Sequence, residues 1–198
     1  ICSFALIYII FFGGFGTNLS MARGIIKKSL ILSSLGVIFT SLLTGLFSHY
    51  ILKLDWYSSL LIGSVLGSTD AASVFAILRS YKLNLKENTA SLLEIESGSN
   101  DPFAYVLTIA FLTLSKGNLN LPLLLFKQVC FGLAVGYIFA KVSCYIIRKV
   151  NNIDSGMSMA LITASMLLSY STSEFIGGNG YITVYLLGVL LGNIHFNK

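Results

Sequence analysis

Ser29 to Ser48, Ser155 to Ser173 and Phe175 to Ile194 each carry no Asp, Glu, Lys or Arg. At ~1.5 Å per helical residue, a run of about 20 residues covers the ~30 Å hydrocarbon core of a bilayer. Backbone in hydrocarbon must satisfy its own hydrogen bonds, so only helices and closed barrels can cross. Barrel strands alternate polar and apolar residues over about 10 positions, a pattern this chain does not show. The sequence therefore predicts an all-α polytopic membrane protein. Only 11% of its residues are charged, against roughly 25% in soluble domains.

Seven segments follow from the hydropathy, at roughly 1–14, 29–52, 56–80, 88–115, 120–147, 155–174 and 179–197. Lys and Arg alternate between their connections. Arg23, Lys27 and Lys28 lie in the first connection, and Lys53 alone in the second. Arg79, Lys82 and Lys86 lie in the third, Lys116 in the fourth, and Lys141, Arg148 and Lys149 around the fifth; the sixth has none. Basic loops stay cytoplasmic, so the odd-numbered connections face the cytoplasm. Tyr50, Trp56 and Tyr57 flank the second, outward connection as interfacial aromatics. The same asymmetry accounts for the net charge of +5 without a nucleic-acid partner. Thr17 to Lys28 is a short polar stretch suited to lying along the interface. The chain opens on apolar sequence at Ile1 and closes just past an apolar run. We expect residues 1–198 to be part of a single transmembrane domain, truncated at both ends.

Ionisable side chains at membrane depth are expensive and usually functional. Two apolar segments here carry acids within them: the third holds Asp70, the fourth Glu94, Glu96 and Asp101. Gly63, Gly67, Ser68 and Thr69 precede Asp70. Glycine weakens a helix, and Ser and Thr can bond freed backbone groups, so a break is expected near 68–70. Such breaks let backbone and side-chain oxygens ligate a cation in transporters. In the fourth segment Asp101 lies close to the bilayer midplane. Ser97 and Asp101 share a helical face, as do Glu96 and Asn100. The first pair offers oxygens to a hard cation; the second allows a hydrogen bond that holds Glu96. Pro102 opposes a regular turn beside the acids. Desolvation favours the protonated form of any carboxyl and a nearby cation the ionised form, so one carboxylate can carry either. Exchange needs only that its access alternate. The bland alternative is that these acids merely bond helix to helix.

Gly67-Ser68-Thr69-Asp70-Ala71-Ala72-Ser73-Val74-Phe75, followed by Glu94-Ile95-Glu96-Ser97-Gly98-Ser99-Asn100-Asp101-Pro102, resembles the monovalent cation:proton antiporter superfamily. The likeness is nearest its NhaP-type branch, particularly the bacterial potassium/proton antiporters. Leu54-Asp55-Trp56 and Gly188 to Asn193 add to it. It spans nearly all of this chain but about half of the family's transmembrane domain. The resemblance implies a partial sodium/proton-antiporter-like fold of about seven transmembrane helices, one of them discontinuous. By the same resemblance Asp101 binds cation and proton alternately, Ser97 is a cation ligand, and Thr69 and Asp70 belong to the unwound stretch; we expect Thr69, Asp70 and Ser97 to support Asp101 as cation ligands. Asn100 stands where electrogenic relatives carry a second Asp, which implies electroneutral exchange. Glu96 matches a structural glutamate that pairs with an arginine of a later helix; no such arginine is visible here, nor is the family's second discontinuous helix. Phe12 stands where relatives often have an acid. The resemblance also implies a homodimer in the cell membrane, a bacterial inner or plasma membrane, serving pH homeostasis. No cofactor is expected beyond the transported potassium or sodium ion and the proton, and the partners are these ions and the lipid bilayer.

The remaining candidates have plainer readings. His49 and His195 are interfacial, Lys127 and Lys141 extend toward the interface, and Met157, Met159 and Met166 pack. Cys2, Cys130 and Cys144 have no metal-ligand spacing and read as small hydrophobes. Gly177 to Gly180 reads as a tight turn rather than a hinge. Two rival functions remain. An intramembrane aspartyl protease would pair two membrane aspartates, but Ser68-Thr69-Asp70-Ala71 and Ser99-Asn100-Asp101-Pro102 are not the motifs of those enzymes. A cation-coupled symporter would need a cavity for an organic substrate. We therefore expect a secondary transporter, not an enzyme.

Overall fold

The computed structural model describes residues 2–17, 24–80, 89–115, 117, 120–149 and 155–193. Among them are eight helices and no strand: α1 Cys2–Phe15, α2 Ile26–Tyr50, α3 Trp56–Leu66, α4 Ala71–Ser80, α5 Thr89–Ser115, α6 Leu121–Lys149, α7 Ser155–Phe175 and α8 Gly180–Gly192. Among the described residues, each of the seven expected segments contains helix. The third is split into α3 and α4 by Gly67–Asp70, where the break was expected. α2 starts a turn earlier than its uncharged run, so Lys27 and Lys28 lie within it. The rest of the polar stretch before it, residues 18–23, lies outside the described residues, as do Lys82, Lys86, Lys116 and His195.

The chain divides into two compact units, Met21–Phe126 and Ile1–Ser20 with Lys127–Lys198. In the first, α5 packs against α2, α3 and α4, and α2 against α3. The packing is inside-out by the standards of a water-soluble protein. α2 buries Ser29, Ser33, Val37, Ser41, Gly45 and Ser48, spaced three to four residues apart on one face. Phe39, Leu43 and Phe47 on the other face are each more than half exposed. Lipid gives large apolar side chains no reason to hide, and small residues let helices approach closely. Gly63 of α3 shows how closely, because a Cβ there would clash with the Ser41 carbonyl of α2.

The link from α2 to α3 is equally specified. Asp55 caps α3, its carboxylate accepting from Ser58 N at 3.0 Å. That hydrogen bond holds Asp55 below the ordinary carboxylate pKa. His49 stacks on Trp56 with ring centroids 3.8 Å apart, and its Nδ1 lies 2.7 Å from Leu54 O. The histidine and the aromatics thus form one cluster at the turn.

In the second unit, α8 packs against α1 and α7. Gly188 and Gly192 press on the backbone of Phe11 and Phe15, and Asn193 Nδ2 donates to Thr17 O at 2.7 Å. Gly132 and Gly136 of α6 likewise face Asn179 and Thr183. The α7–α8 connection is a tight turn. Gly177 takes φ +80°, which side chains other than glycine rarely adopt. Asn179 caps α8 by accepting from Tyr181 N and Ile182 N, and Glu174 Oε1 accepts from Gly180 N at 2.8 Å.

Candidate functional site

α5 carries four of the six candidate residues, and its length sets their depth. Asp101 lies 12 residues from Thr89 and 14 from Ser115, or ~18 and ~21 Å from the two ends at ~1.5 Å per residue. The helix continues through Pro102. Proline removes one N–H, so Gly98 O loses its helical donor on the same turn as Ser97 and Asp101.

The break between α3 and α4 meets α5 at this depth. Ser68 Oγ donates to Asp101 Oδ1 at 2.5 Å. One residue on, Thr69 Oγ1 lies 3.1 Å from Ser97 Oγ and accepts from Asn100 Nδ2 at 2.8 Å. The second hydrogen of the Asn100 amide goes to Glu96 Oε1 at 2.9 Å. Helical spacing puts Glu96 and Asn100 on one face, and Ser97 and Asp101 on the next. The break supplies hydroxyls to both. Toward the far end of α5, Thr108 Oγ1 lies 3.0 Å from Ser64 Oγ and ties α3 to the same helix.

Ser97 is fully buried and Asn100 is 2% exposed, whereas Thr69 and Asp70 are exposed and Asp101 is intermediate. The cluster is thus anchored on α5 and open along the break. Asn100 Oδ1 is buried with no partner among the described residues. The site is rich in oxygen: the Asp101 carboxylate and the hydroxyls of Ser68, Thr69 and Ser97 converge on two turns of α5. Carboxylate and hydroxyl oxygens suit hard cations, and the carboxylate can take a proton instead.

Asp70 sits differently. Its carboxylate accepts from Ser73 N at 3.2 Å and from Ser73 Oγ at the start of α4. An acid there complements the N-terminal end of the helix, so Asp70 starts the second half of the interrupted segment. Glu94 is half-buried, one turn of α5 before the cluster.

Two residues escaped the sequence reading of the site. Ser68 was expected only as part of the break, yet it is the residue that reaches Asp101. Ser73 lies within the Gly67–Phe75 motif, whose pattern alone assigns it no role. The Asp70-x-x-Ser73 spacing could have signalled a cap. Nothing local signals that Ser68, rather than Thr69, faces Asp101, because 33 residues separate the partners.

Comparison with known proteins bears on these features. The family described as "Sodium/hydrogen exchanger, transmembrane" matches residues 1–198. The chain is 36% identical to the K(+)/H(+) antiporter NhaP of Alkalimonas amylolytica, over 96% of this chain and 34% of that protein. It is 34% identical to the K(+)/H(+) antiporter NhaP2 of Shewanella oneidensis, over 98% of this chain and 34% of the relative. It therefore spans about a third of the length of these relatives. Among solved structures, the sodium proton antiporter MjNhaP1 from Methanocaldococcus jannaschii superposes with a TM-score of 0.78 at 25% identity. That match covers 96% of this chain and 48% of the other.

Proposed function

The chain belongs to the sodium/hydrogen exchanger family, and from that premise we propose that it is part of a secondary transporter exchanging a monovalent cation for protons. Membership makes it a multi-pass membrane protein. The observation that carries the proposal is the Ser68–Asp101 hydrogen bond halfway along α5, at a break in the neighbouring segment. Asp101 binds cation and proton in turn. Ser97 and Thr69 supply further oxygens, and Asp70 holds the start of α4 so that the break keeps its shape. Potassium is the first candidate cation, because relatives at 34–36% identity are named K(+)/H(+) antiporters. Sodium is the other, named for more distant ones.

Electroneutral exchange is part of the same reading. Asn100 directs both amide hydrogens at oxygen acceptors, Thr69 Oγ1 and Glu96 Oε1. A carboxylate there would have no hydrogens to give and would repel Glu96. A neutral residue at 100 leaves Asp101 as the carrier of one positive charge in either direction. We further take residues 1–198 as part of one transmembrane domain, acting as a homodimer in a bacterial inner or plasma membrane and serving pH homeostasis. Support for these points is the likeness to the family, which runs unbroken through both compact units.

The test is transport by the intact protein in vesicles. Asp101→Asn should abolish cation-driven proton movement while the protein still folds and inserts; normal movement would remove Asp101 from its role. Comparing potassium with sodium gradients identifies the cation. A rate that responds steeply to membrane potential would count against electroneutral exchange.

A further inference from the structure

The cytoplasmic half of α6 carries a cationic groove that the exchange reaction does not use. Tyr137, Lys141, Cys144, Tyr145 and Arg148 recur at three- and four-residue intervals on one face. With Ala140 and Leu190 of α8 they line a groove of about 400 Å³. Its floor is apolar, with Ala140 2% exposed, and its upper rim is cationic.

α6 has 29 residues, about 43 Å of helix, so it exceeds a ~30 Å core by roughly 6 Å at each end. An upright α6 centred on that core puts Arg148 at headgroup level. Lys141 begins about 6 Å below the hydrocarbon boundary. Its Nζ does not run toward the interface as the sequence suggested, but lies over the Tyr137 ring, 4.9 Å from the centroid and one turn deeper. Lys149 packs over Tyr145 at 5.4 Å.

The helix macrodipole favours Arg148 and Lys149 in the last turn, but it fades beyond that turn and does not reach Lys141. No described carboxylate pairs with Lys141 or Arg148. The acid described in this unit, Glu174, already accepts from Gly180 N. A cation at membrane depth needs a counter-charge or polar oxygens.

We propose that this groove binds an anionic glycerophospholipid of the cytoplasmic leaflet. Its phosphate sits at Arg148 and Lys149, its glycerol ester oxygens lie toward Lys141, and an acyl chain runs over Ala140 and Leu190. Charge complementarity selects the headgroup, the two-level spacing of the cations selects a lipid over a free anion, and the apolar floor accepts the chain. Basic pockets on the cytoplasmic side of transmembrane helices are suited to such lipids.

The experiment measures thermal unfolding of the purified intact protein in neutral detergent, titrated with phosphatidylglycerol, phosphatidylcholine or inorganic phosphate. Phosphatidylglycerol should stabilise the protein, with the other two far weaker. The double variant Lys141→Gln/Arg148→Gln should bind phosphatidylglycerol roughly fivefold more weakly for each charge removed. Lys141→Arg/Arg148→Lys should keep wild-type affinity. If the double variant does not fold, Arg148→Gln alone, on the exposed last turn, should still show the roughly fivefold loss. Equal stabilisation by phosphatidylcholine or by phosphate overturns the proposal. So does a phosphatidylglycerol response unchanged in the foldable charge-removing variant, which is the result expected if a carboxylate from elsewhere in the longer protein occupies the groove.

Discussion

Thr69 is the residue on which the two halves of the cluster meet. Its hydroxyl lies against Ser97 and accepts from Asn100, which in turn holds Glu96. Removing that oxygen leaves a buried amide hydrogen of Asn100 without its acceptor, at about 1–3 kcal/mol. Thr69→Val should therefore raise the cation concentration needed for half-maximal exchange, by roughly tenfold if about 1.4 kcal/mol reaches the site. Thr69→Ser keeps the hydroxyl and should stay within about twofold, an order-of-magnitude expectation for a retained hydrogen bond. The cation dependence of proton movement in vesicles checks both. Residue chemistry was largely legible here: acids, hydroxyls and an amide in a hydrophobic chain announce themselves. Their division of labour was not. Ser68 rather than Thr69 reaches Asp101, and Asp70 caps its own helix through Ser73. Which neighbouring hydroxyl faces a carboxylate depends on the torsion of a few non-helical residues, and composition leaves that open.

At the scale of the element, the interrupted third segment and the inside-out second one define the first unit. The break was legible because glycine, serine and threonine cluster before Asp70. The packing behind it depends on spacing just as strongly. Gly63 has Ser41 O and Gly45 N against the place where its Cβ would stand, whereas a Cβ at Gly36 would meet nothing within 4 Å. Overpacking costs about 1–3 kcal/mol, while alanine favours a helix over glycine by roughly 0.5–1 kcal/mol. Gly63→Ala should lower the unfolding midpoint in detergent and Gly36→Ala should leave it level or raise it. A matching fall in both variants would show that helix approach is not what Gly63 provides. α5 shows the converse. Pro102 was expected to loosen the helix, yet Thr89–Ser115 is continuous. Loss of one helical hydrogen bond is tolerated where neighbouring helices hold both sides of the turn.

For the molecule as a whole, the basic residues predict an orientation, and labelling can read it. In a background with Cys2, Cys130 and Cys144 replaced by serine, Lys53→Cys should react with a membrane-impermeant maleimide added outside intact cells. Lys149→Cys should react only after the membrane is opened. The reverse pattern would invert the protein, and reaction of both from outside would break the segment count. Lys53 suits the test because it is exposed in the α2–α3 turn, at φ 54°.

The sequence by itself determined the class of fold, the segment count, the place of the break and that a carboxylate, Asp101, lies halfway along its helix. Those properties follow from local quantities: the length of uncharged runs, helical spacing along one segment, and the alternation of charge between connections. Only the tertiary structure decided that α2 turns its serines inward, that Ser68 is the partner of Asp101, and that Lys141 lies over Tyr137. The first depends on which helices pack closely against that face, and the second on which distant segment comes within hydrogen-bond reach. The third is a choice between rotamers of one side chain, made where solvent, lipid and an aromatic ring compete. Linear spacing cannot settle such choices, because a contact across 33 residues is set by how two helices approach.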